Sequence, residues 1–400
     1  MKTDKRNQIF IRCCYGYVVS GMSVLVIGAI LPSIIEEAGI SFLAAGGLLS
    51  AMAVGNLSAS FFFPMIVSFM GKKKTIVMTS LFSSVCLMIL SLLPSLPVMY
   101  GIMLVYGLVR GSMTILNNSA VNDIYGSEAA GKLNLLHCCF AAGAFLAPFI
   151  TAVLMKLGFD WRVILYLTLF LAVTAAVSYG TMDYTLLNET PENPKKTGEK
   201  TKETGTDSGS RGFIKSFSFY CISFILFFYL GVENCVNGWF VTYLQSTGVM
   251  SAAYATAMIS FTWLVIMAGR LLCAALSKRL GQSAIILINA LGSSACFLLL
   301  ISTRSLPLVT AALLGFGFFL SGIYPTCIAN AGPLIQGSTL GMSLITAISS
   351  MGGIITPQLV GAAADQMGIV AAISILIINM AFVIALAAIN FKRQFRTANK

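Results

Sequence analysis

Long apolar runs, separated by short polar or glycine- and proline-containing breaks, fill the chain from residue 10 to residue 391. A helix needs about 20 mostly apolar residues to cross the hydrocarbon layer of a membrane, and these runs reach that length. They lack the strict alternation of apolar and polar positions that marks a transmembrane strand. Twelve helical spans are predicted, at residues 10–34, 42–69, 74–94, 97–121, 132–155, 162–182, 213–244, 252–277, 282–303, 306–331, 338–364 and 369–391.

One long polar segment separates the sixth span from the seventh. Residues 183–212 contain two prolines, five Lys or Arg and six Asp or Glu, together with many Thr, Ser and Gly. This composition is typical of a flexible linker, because it offers almost no apolar surface to bury. We therefore predict three parts: a six-helix bundle at 1–182, a cytoplasmic linker at 183–212 and a second six-helix bundle at 213–400.

Composition supports a membrane protein. The chain is 57% hydrophobic and 10% charged, with a mean hydropathy of +0.88, whereas soluble proteins carry about 25% charged residues. These values exclude a soluble enzyme, a disordered protein and a secreted disulfide scaffold. The ten cysteines lie in or beside apolar spans, and their adjacent pairs match neither a redox motif nor a metal site. We therefore expect neither metal nor cofactor.

The net charge of +11 reflects topology. With both termini in the cytoplasm, cytoplasmic segments hold 20 of the 25 Lys and Arg residues, the outer loops hold three and the spans hold two. This bias follows the positive-inside rule. It predicts a multi-pass protein of the cell membrane with cytoplasmic termini, and it accounts for the charge without a nucleic-acid partner.

The two halves of the chain carry an internal repeat. Four pairs of glycines lie 210 residues apart at equivalent points of the spans, namely Gly71 and Gly281, Gly107 and Gly317, Gly143 and Gly353, and Gly158 and Gly368. Two parallel six-helix repeats are the layout of secondary transporters whose binding site lies between the repeats.

Loop motifs point to one family. The segment after the second span reads Ser68-Phe69-Met-Gly71-Lys72-Lys73-Lys74, and the eleventh span ends Gly361-x-x-x-Asp365-x-x-Gly368. Over nearly its whole length the chain resembles the major facilitator superfamily, whose loop signature is Gly-x-x-x-Asp-Arg-x-Gly-Arg-Lys/Arg. Gly71 and the basic run match, while Ser68 and Phe69 replace the Asp and Arg. The resemblance implies an all-α integral membrane fold with twelve transmembrane helices in two pseudo-symmetric six-helix bundles. It implies gating roles for Gly71, Lys72, Lys73, Arg270, Arg279 and Asp365.

Within that superfamily, two stretches are similar to the fucose:proton symporter branch. One runs from Leu133 through His137 to Pro148, and the other runs from Gly231 through Glu233 to Leu244.

Four ionisable residues lie well inside spans: Arg110, His137, Glu233 and Arg270. Because a charge in hydrocarbon is costly, such residues normally face a cavity or a partner. Glu233 shares a helix face with Tyr229 and Asn237, and we predict that it carries a coupling proton, the alternative being a structural hydrogen bond. His137 is either a second proton carrier or a neutral hydrogen-bonding residue.

Arg110 shares a helix face with Thr114 and Asn117. Its guanidinium is suited to bind a carboxylate or phosphate of a solute, or it pairs with Glu233 or with another helix. Arg270 is assigned to gating or to structure. Predicted substrate-binding residues are Arg110, Thr114, Asn117, Asn237, Tyr229, Trp263 and Tyr324.

The sequence therefore predicts a secondary active transporter that moves a sugar or an organic acid by alternating access. The predicted coupling ion is a proton, and the protein is expected to act as a monomer in the lipid bilayer. The alternatives are a drug/proton antiporter on the same fold and a signalling receptor or scaffold. The repeat and the small extramembrane segments oppose the latter. An ATP-driven pump is excluded, because no phosphate-binding Gly-x-x-x-x-Gly-Lys-Ser/Thr loop occurs.

Overall fold

The computed structural model describes residues 2–125, 129–182, 212–277, 279–335 and 339–398, so nearly all of the predicted linker lies outside the described residues. Within them, every regular element is a helix. The α-helices are Lys2–Ala38, Phe42–Ser91, Leu96–Tyr125, Ala129–Lys156, Arg162–Gly180, Phe217–Ser246, Ala252–Leu276, Gln282–Ser302, Leu306–Leu320, Ile323–Ala331, Thr339–Met367, Ile369–Ala372 and Leu376–Ala398. Short 3-10 turns occur at Gly212–Lys215, Gly332–Leu334 and Ile373–Ile375. Twelve stretches of these helices are long and apolar enough to cross a membrane, which confirms the predicted spans.

Several helix boundaries differ from the prediction. The first helix extends from Lys2 to Ala38 rather than from 10 to 34. The apolar run marks only the part of a helix that crosses the hydrocarbon layer, and the helix itself continues beyond it at both ends. Conversely, the seventh span begins at Phe217 instead of 213, after a 3-10 turn. The second and third spans form one continuous element, Phe42–Ser91, which is broken only at Gly71, where φ is 79° and ψ is 156°.

The repeat seen in the sequence reappears in the backbone geometry. Gly158 and Gly368 end the fifth and eleventh spans with nearly equal positive φ angles of 79° and 78°, a conformation that glycine adopts without steric cost. Gly143 and Gly353 mark matching close approaches. A Cβ at Gly143 would lie 1.9 Å from a carbonyl oxygen of the first span, and one at Gly353 would lie 2.1 Å from an amide nitrogen of the seventh. Each glycine therefore seats its helix against the helix that opens its half.

In the described part of the chain, the main contacts between the two halves join the first span with the seventh, the second with the eleventh and the fifth with the eighth. We call the membrane side that carries both chain termini the terminal side and the other the far side. On the far side, the rings of Phe42 and Trp239 lie 6.1 Å apart. Nearer mid-membrane, Ser50 donates a 2.6 Å hydrogen bond to the carbonyl of Ile354. The halves are thus closed together from mid-membrane to the far side.

Candidate functional site between the two halves

The deepest carboxylate of the described spans has its partners in the second half of the chain. Glu233, on the seventh span, accepts a 3.1 Å hydrogen bond from the hydroxyl of Tyr229, one helical turn earlier. The same oxygen, Oε1, lies 3.9 Å from Nη2 of Arg270 on the eighth span. Sequence reasoning had assigned Arg270 to gating or to structure. The geometry makes it the ion-pair partner of Glu233.

Arg110, on the fourth span, approaches this pair from the first half. Among the described residues, its side chain donates from Nη1 to the sulfur of Met52 at 3.9 Å. Among the described residues, no carboxylate oxygen lies within 4.0 Å of it, although Glu233 is near enough to attract it electrostatically. A thioether is a weak acceptor. Most of the hydrogen-bonding capacity of this guanidinium therefore remains unused by the described protein groups.

His137, on the fifth span, belongs like Arg110 to the first half of the chain. Its ring packs edge-on against Tyr17, with centroids 5.6 Å apart, and it is close enough to Arg270 for their charges to interact. The side chain is exposed. The cluster thus draws its ionisable groups from the fourth and fifth spans of one half and the seventh and eighth spans of the other.

For three other predicted binding residues, the described structure shows no side-chain contact with the charged groups of this cluster. The hydroxyl of Thr114 donates to a backbone carbonyl of its own helix at 3.2 Å. Asn117 is fully buried, and it accepts a 2.8 Å hydrogen bond from Tyr179 within the first half. Asn237 lies where the first and seventh spans touch, and its buried side-chain oxygen has no hydrogen-bond partner in the described part of the chain. Of the predicted polar stripe on the fourth span, Asn117 therefore serves packing within the first half.

Aromatic side chains line the space around the charged cluster. Trp263 is 5% exposed, its ring contacts Phe140 of the opposite half at 6.2 Å, and its Nε1 has no partner among the described residues. Tyr324 packs against Tyr229 with ring centroids 6.1 Å apart. The sequence reasoning missed Phe140, although its position three residues after His137 places it on the same helix face.

A carboxylate joins the two halves on the far side. Asp365, near the end of the eleventh span, accepts hydrogen bonds from the backbone N–H groups of Phe42 at 2.7 Å and Leu43 at 2.9 Å. These are the first residues of the helix that opens the second span. A negative charge at a helix N-terminus satisfies free N–H groups and interacts favourably with the helix dipole. Asp365 is therefore placed to stabilise closure of the far side.

Replacing Asp365 by Ala is expected to open the far side more often, because both hydrogen bonds across the halves are lost. A charge at a helix N-terminus contributes about 0.3–1 kcal/mol at an exposed site, so we expect a shift in population and not a loss of folding. Spin labels at the exposed positions Glu36 and Ser246, one in each half, report the separation. Asp365→Asn should fall between wild type and Ala, and an unchanged distance distribution in the Ala variant would contradict the role.

On the terminal side, the basic loop after the second span carries an ion pair. Lys72 lies 3.1 Å from Asp123, at the end of the fourth span, and both side chains are about one-fifth exposed. Asp123 thus supplies a carboxylate to a loop in which Ser68 replaces the aspartate of the family motif. Because exposed pairs contribute at most about 1 kcal/mol, this contact positions the loop weakly. Lys73 and Arg279 are exposed.

A metal centre is not indicated by the described residues, since no three His, Cys, Asp or Glu side chains there are grouped closely enough to share an ion.

Comparisons with known proteins agree with this architecture. The family model of the Major Facilitator Superfamily matches residues 13–357. "Bypass of stop codon protein 6" of Saccharomyces cerevisiae is 22% identical over 394 residues, which cover 90% of this chain and 77% of that protein. Among solved structures, the nucleoside transporter NupG is similar with a TM-score of 0.76, 14% identity, and coverage of 97% of this chain and 98% of that one. An inward-facing, unoccupied bacterial homolog of the human lysosomal transporter Spinster has a TM-score of 0.72 at 14% identity, with 97% and 98% covered. At such identities the structures show a common fold and not a common substrate.

Proposed function

Because the chain belongs to the Major Facilitator Superfamily, we propose that it is a secondary active transporter for a small polar solute, a sugar or an organic acid, coupled to protons. That the chain is a multi-pass membrane transporter and not an enzyme follows from the family and from the twelve spans. The solute class and the coupling ion are the further steps of the proposal.

The observation that carries the proposal is the Glu233–Arg270 pair between the two halves. The tyrosine hydroxyl at 3.1 Å and the guanidinium at 3.9 Å both favour the ionised carboxylate. The apolar surroundings favour the neutral acid, because they solvate charge poorly. A carboxylate held between these opposing influences is suited to take up a proton in one conformation and release it in another.

The contacts between the halves support alternating access around this site. The far side is closed by Asp365 and by the ring contact of Phe42 with Trp239. Toward the terminal side, His137 is exposed and the side chain of Arg270 is 39% exposed. We place the terminal side in the cytoplasm of a cell membrane, from the distribution of Lys and Arg. In that orientation the described conformation faces inward.

Uptake into proteoliposomes made with the purified protein tests this function. Radiolabelled sugars and organic acids are offered with and without an inward proton gradient, and we expect at least one to accumulate above its external concentration only with the gradient. Ethidium extrusion driven by an inward gradient, without uptake of any polar solute, would favour the drug/proton antiporter instead. If neither movement responds to a proton gradient, the proposed coupling is wrong.

The proposed division of the chain into two bundles and a cytoplasmic linker predicts that the linker is dispensable. Deleting about ten residues near Lys196 should leave uptake unchanged, since residues 183–212 have almost no apolar side chains to pack. Protease added outside intact cells should not cut this segment. Cleavage from outside would show that the proposed topology is inverted.

A further inference from the structure

The cluster between the halves has an excess of positive charge. Two guanidiniums, of Arg110 and Arg270, face the single carboxylate of Glu233, with Arg270 at 3.9 Å from it and Arg110 interacting from farther away. The other carboxylates of the described residues lie at the ends of spans or in loops. An uncompensated charge in a poorly hydrated space is unfavourable, and a bound group of opposite charge removes much of that cost.

The unpartnered nitrogen groups of the cluster are all donors. Nε1 of Trp263 and Nε of Arg270 are buried without a hydrogen-bond partner among the described residues, and there Nη1 of Arg110 donates only to a sulfur. Indole and guanidinium groups donate and never accept. A sugar hydroxyl must also place its own proton on an acceptor, whereas a carboxylate only accepts. The excess of nitrogen donors therefore favours an oxyanion over a neutral polyol.

The walls of the space are aromatic. Phe140 lies 6.2 Å from Tyr17 and 6.2 Å from Trp263, measured between ring centroids. Tyr229 and Tyr324 form a second aromatic pair on the side of the second half. Ring faces and edges offer a large apolar contact area to a ligand. The body of the bound molecule is thus expected to be apolar and its head group anionic.

We propose that the solute is an organic monocarboxylate whose carboxylate binds between Arg110 and Arg270, with its apolar body against Trp263 and Phe140. This inference rests on the proposed transport function and assigns its substrate class.

The same geometry couples binding of the solute carboxylate to protonation of Glu233. While Glu233 is ionised it competes with the solute for Arg270, and protonation of Glu233 releases that guanidinium. The ionisable groups that face Glu233 in the described structure come from its own span and from the fourth, eighth and tenth spans. They are Tyr229, Arg110, Arg270 and Tyr324. The first, eleventh and twelfth spans also pack against the seventh, and no interaction of an ionisable side chain of theirs with Glu233 is seen among the described residues.

The charge count makes the cycle electroneutral. The empty cluster carries two guanidiniums and one carboxylate, a net charge of one positive unit. With one proton on Glu233 and one monoanion bound, the net charge is again one positive unit. Binding of the solute alone or of the proton alone changes this net charge. The empty cluster and the cluster that holds both solute and proton therefore carry the same charge. We therefore expect one proton to move with each monocarboxylate.

Binding to the purified full-length protein tests the substrate class directly. Benzoate, phenylacetate and lactate are each compared with their amides by the ligand-induced rise in thermal unfolding midpoint at pH 6. We expect at least one acid to bind roughly tenfold or more tightly than its amide, because a charge-assisted pair replaces a neutral contact, and to bind more weakly at pH 8. If every acid binds no better than its amide, the proposal is wrong, and tighter binding of succinate or inorganic phosphate would overturn the monoanion assignment.

Substitution of Arg110 locates the head group. Arg110→Gln should cost roughly ten- to hundredfold in affinity for the acid and little for the amide. Arg110→Lys should retain part of the preference, since it keeps the charge but not the bidentate geometry, and it serves if the Gln variant unfolds. Lys156→Gln removes an exposed cation at the far end of the fifth span and should bind as wild type does. Unchanged preference for the acid in both Arg110 variants would contradict the site.

Transport assays distinguish a failure of this substrate assignment from a failure of the proposed transport function. A valinomycin-imposed potassium potential should leave proton-driven carboxylate uptake unchanged within about twofold, whereas strong dependence on potential would overturn the equal-charge cycle. Proton-driven sugar uptake that carboxylates do not inhibit would refute the substrate class and leave the transporter function intact. Acid-selective binding that depends on Arg110, without transport of any solute, would refute the function and leave the assigned site standing.

Discussion

Replacing Glu233 by Gln is expected to abolish accumulation driven by a proton gradient while sparing exchange of solute at equal concentrations. Glutamine keeps the size of the side chain and can still accept the hydrogen bond from Tyr229, which is 3.1 Å long in the wild type. It cannot take up or release a proton, and it removes the charge that attracts Arg270. The uncharged side chain imitates the protonated state, in which exchange remains possible but net coupled movement does not. Counterflow and gradient-driven uptake in proteoliposomes measure the two activities separately.

Glu36 provides the matched control for this substitution. It is exposed at the far end of the first span, so Glu36→Gln makes the same chemical change outside the cluster and should behave as wild type in both assays. Loss of exchange as well as accumulation in Glu233→Gln would assign Glu233 to solute binding or to structure. Unchanged accumulation would move the coupling proton to His137, or would show that the coupling ion is not a proton.

Replacing Gly28 by Ala is expected to slow turnover strongly, because the two halves then close less readily on the far side. A Cβ at Gly28, on the first span, would lie 1.7 Å from the backbone carbonyl oxygen of Asn237 on the seventh. Backbone cannot move aside as a flexible side chain can, and overpacking of this kind costs about 1–3 kcal/mol or more. That cost falls only on the conformation with a closed far side. We expect exchange in proteoliposomes to fall by at least about tenfold, since 1.4 kcal/mol corresponds to a factor of ten.

Two further glycines separate this effect from simple misfolding. Gly101, on the fourth span, has nothing within 4 Å of an added Cβ, so Gly101→Ala should be neutral. Gly143→Ala would place its Cβ 1.9 Å from a carbonyl inside the first half, and it should lower the thermal unfolding midpoint. Gly28→Ala should leave that midpoint close to wild type, because the far-side-open conformation remains available. Normal exchange by Gly28→Ala would contradict the closed contact.

The twelve spans and the repeat followed from the sequence because membrane insertion acts on local segments. Each span must be about 20 apolar residues long wherever it lies in the chain, and glycine is required wherever backbones approach closely or φ is positive. Gly158 and Gly368 were therefore recognisable by spacing alone, and their φ angles agree within a degree. The positive-inside bias is likewise a simple count of Lys and Arg residues in the loops, so it supports an orientation without any tertiary information.

The interior charges were also visible in the sequence, but their partners were not. An ionisable residue in an apolar span is conspicuous whatever surrounds it, which is why Arg110, Glu233 and Arg270 were found. Sequence reasoning allowed Glu233 to pair with Arg110, and the structure instead pairs it with Arg270. Helical periodicity says which residues share a face, whereas the choice of partner depends on the rotation, tilt and depth of each helix. Those variables are set by packing between helices that are far apart in the chain.

Asn117 and Asp365 also show the difference between what the sequence predicts and what the packing of the helices decides. Asn117 follows Arg110 at a spacing that predicts a common face, yet it is fully buried and bonded to Tyr179 inside the first half, because helix rotation turned it inward. Asp365 was marked by a loop motif, but its partners are the backbone N–H groups of Phe42 and Leu43, more than 320 residues earlier. The sequence thus determined the spans, their repeat and the residues that carry charge. Which charged groups meet was decided only by the tertiary structure. It depends on how the second span crosses the eleventh and on which faces the fourth, seventh and eighth spans turn toward one another, and no local sequence pattern encodes those contacts.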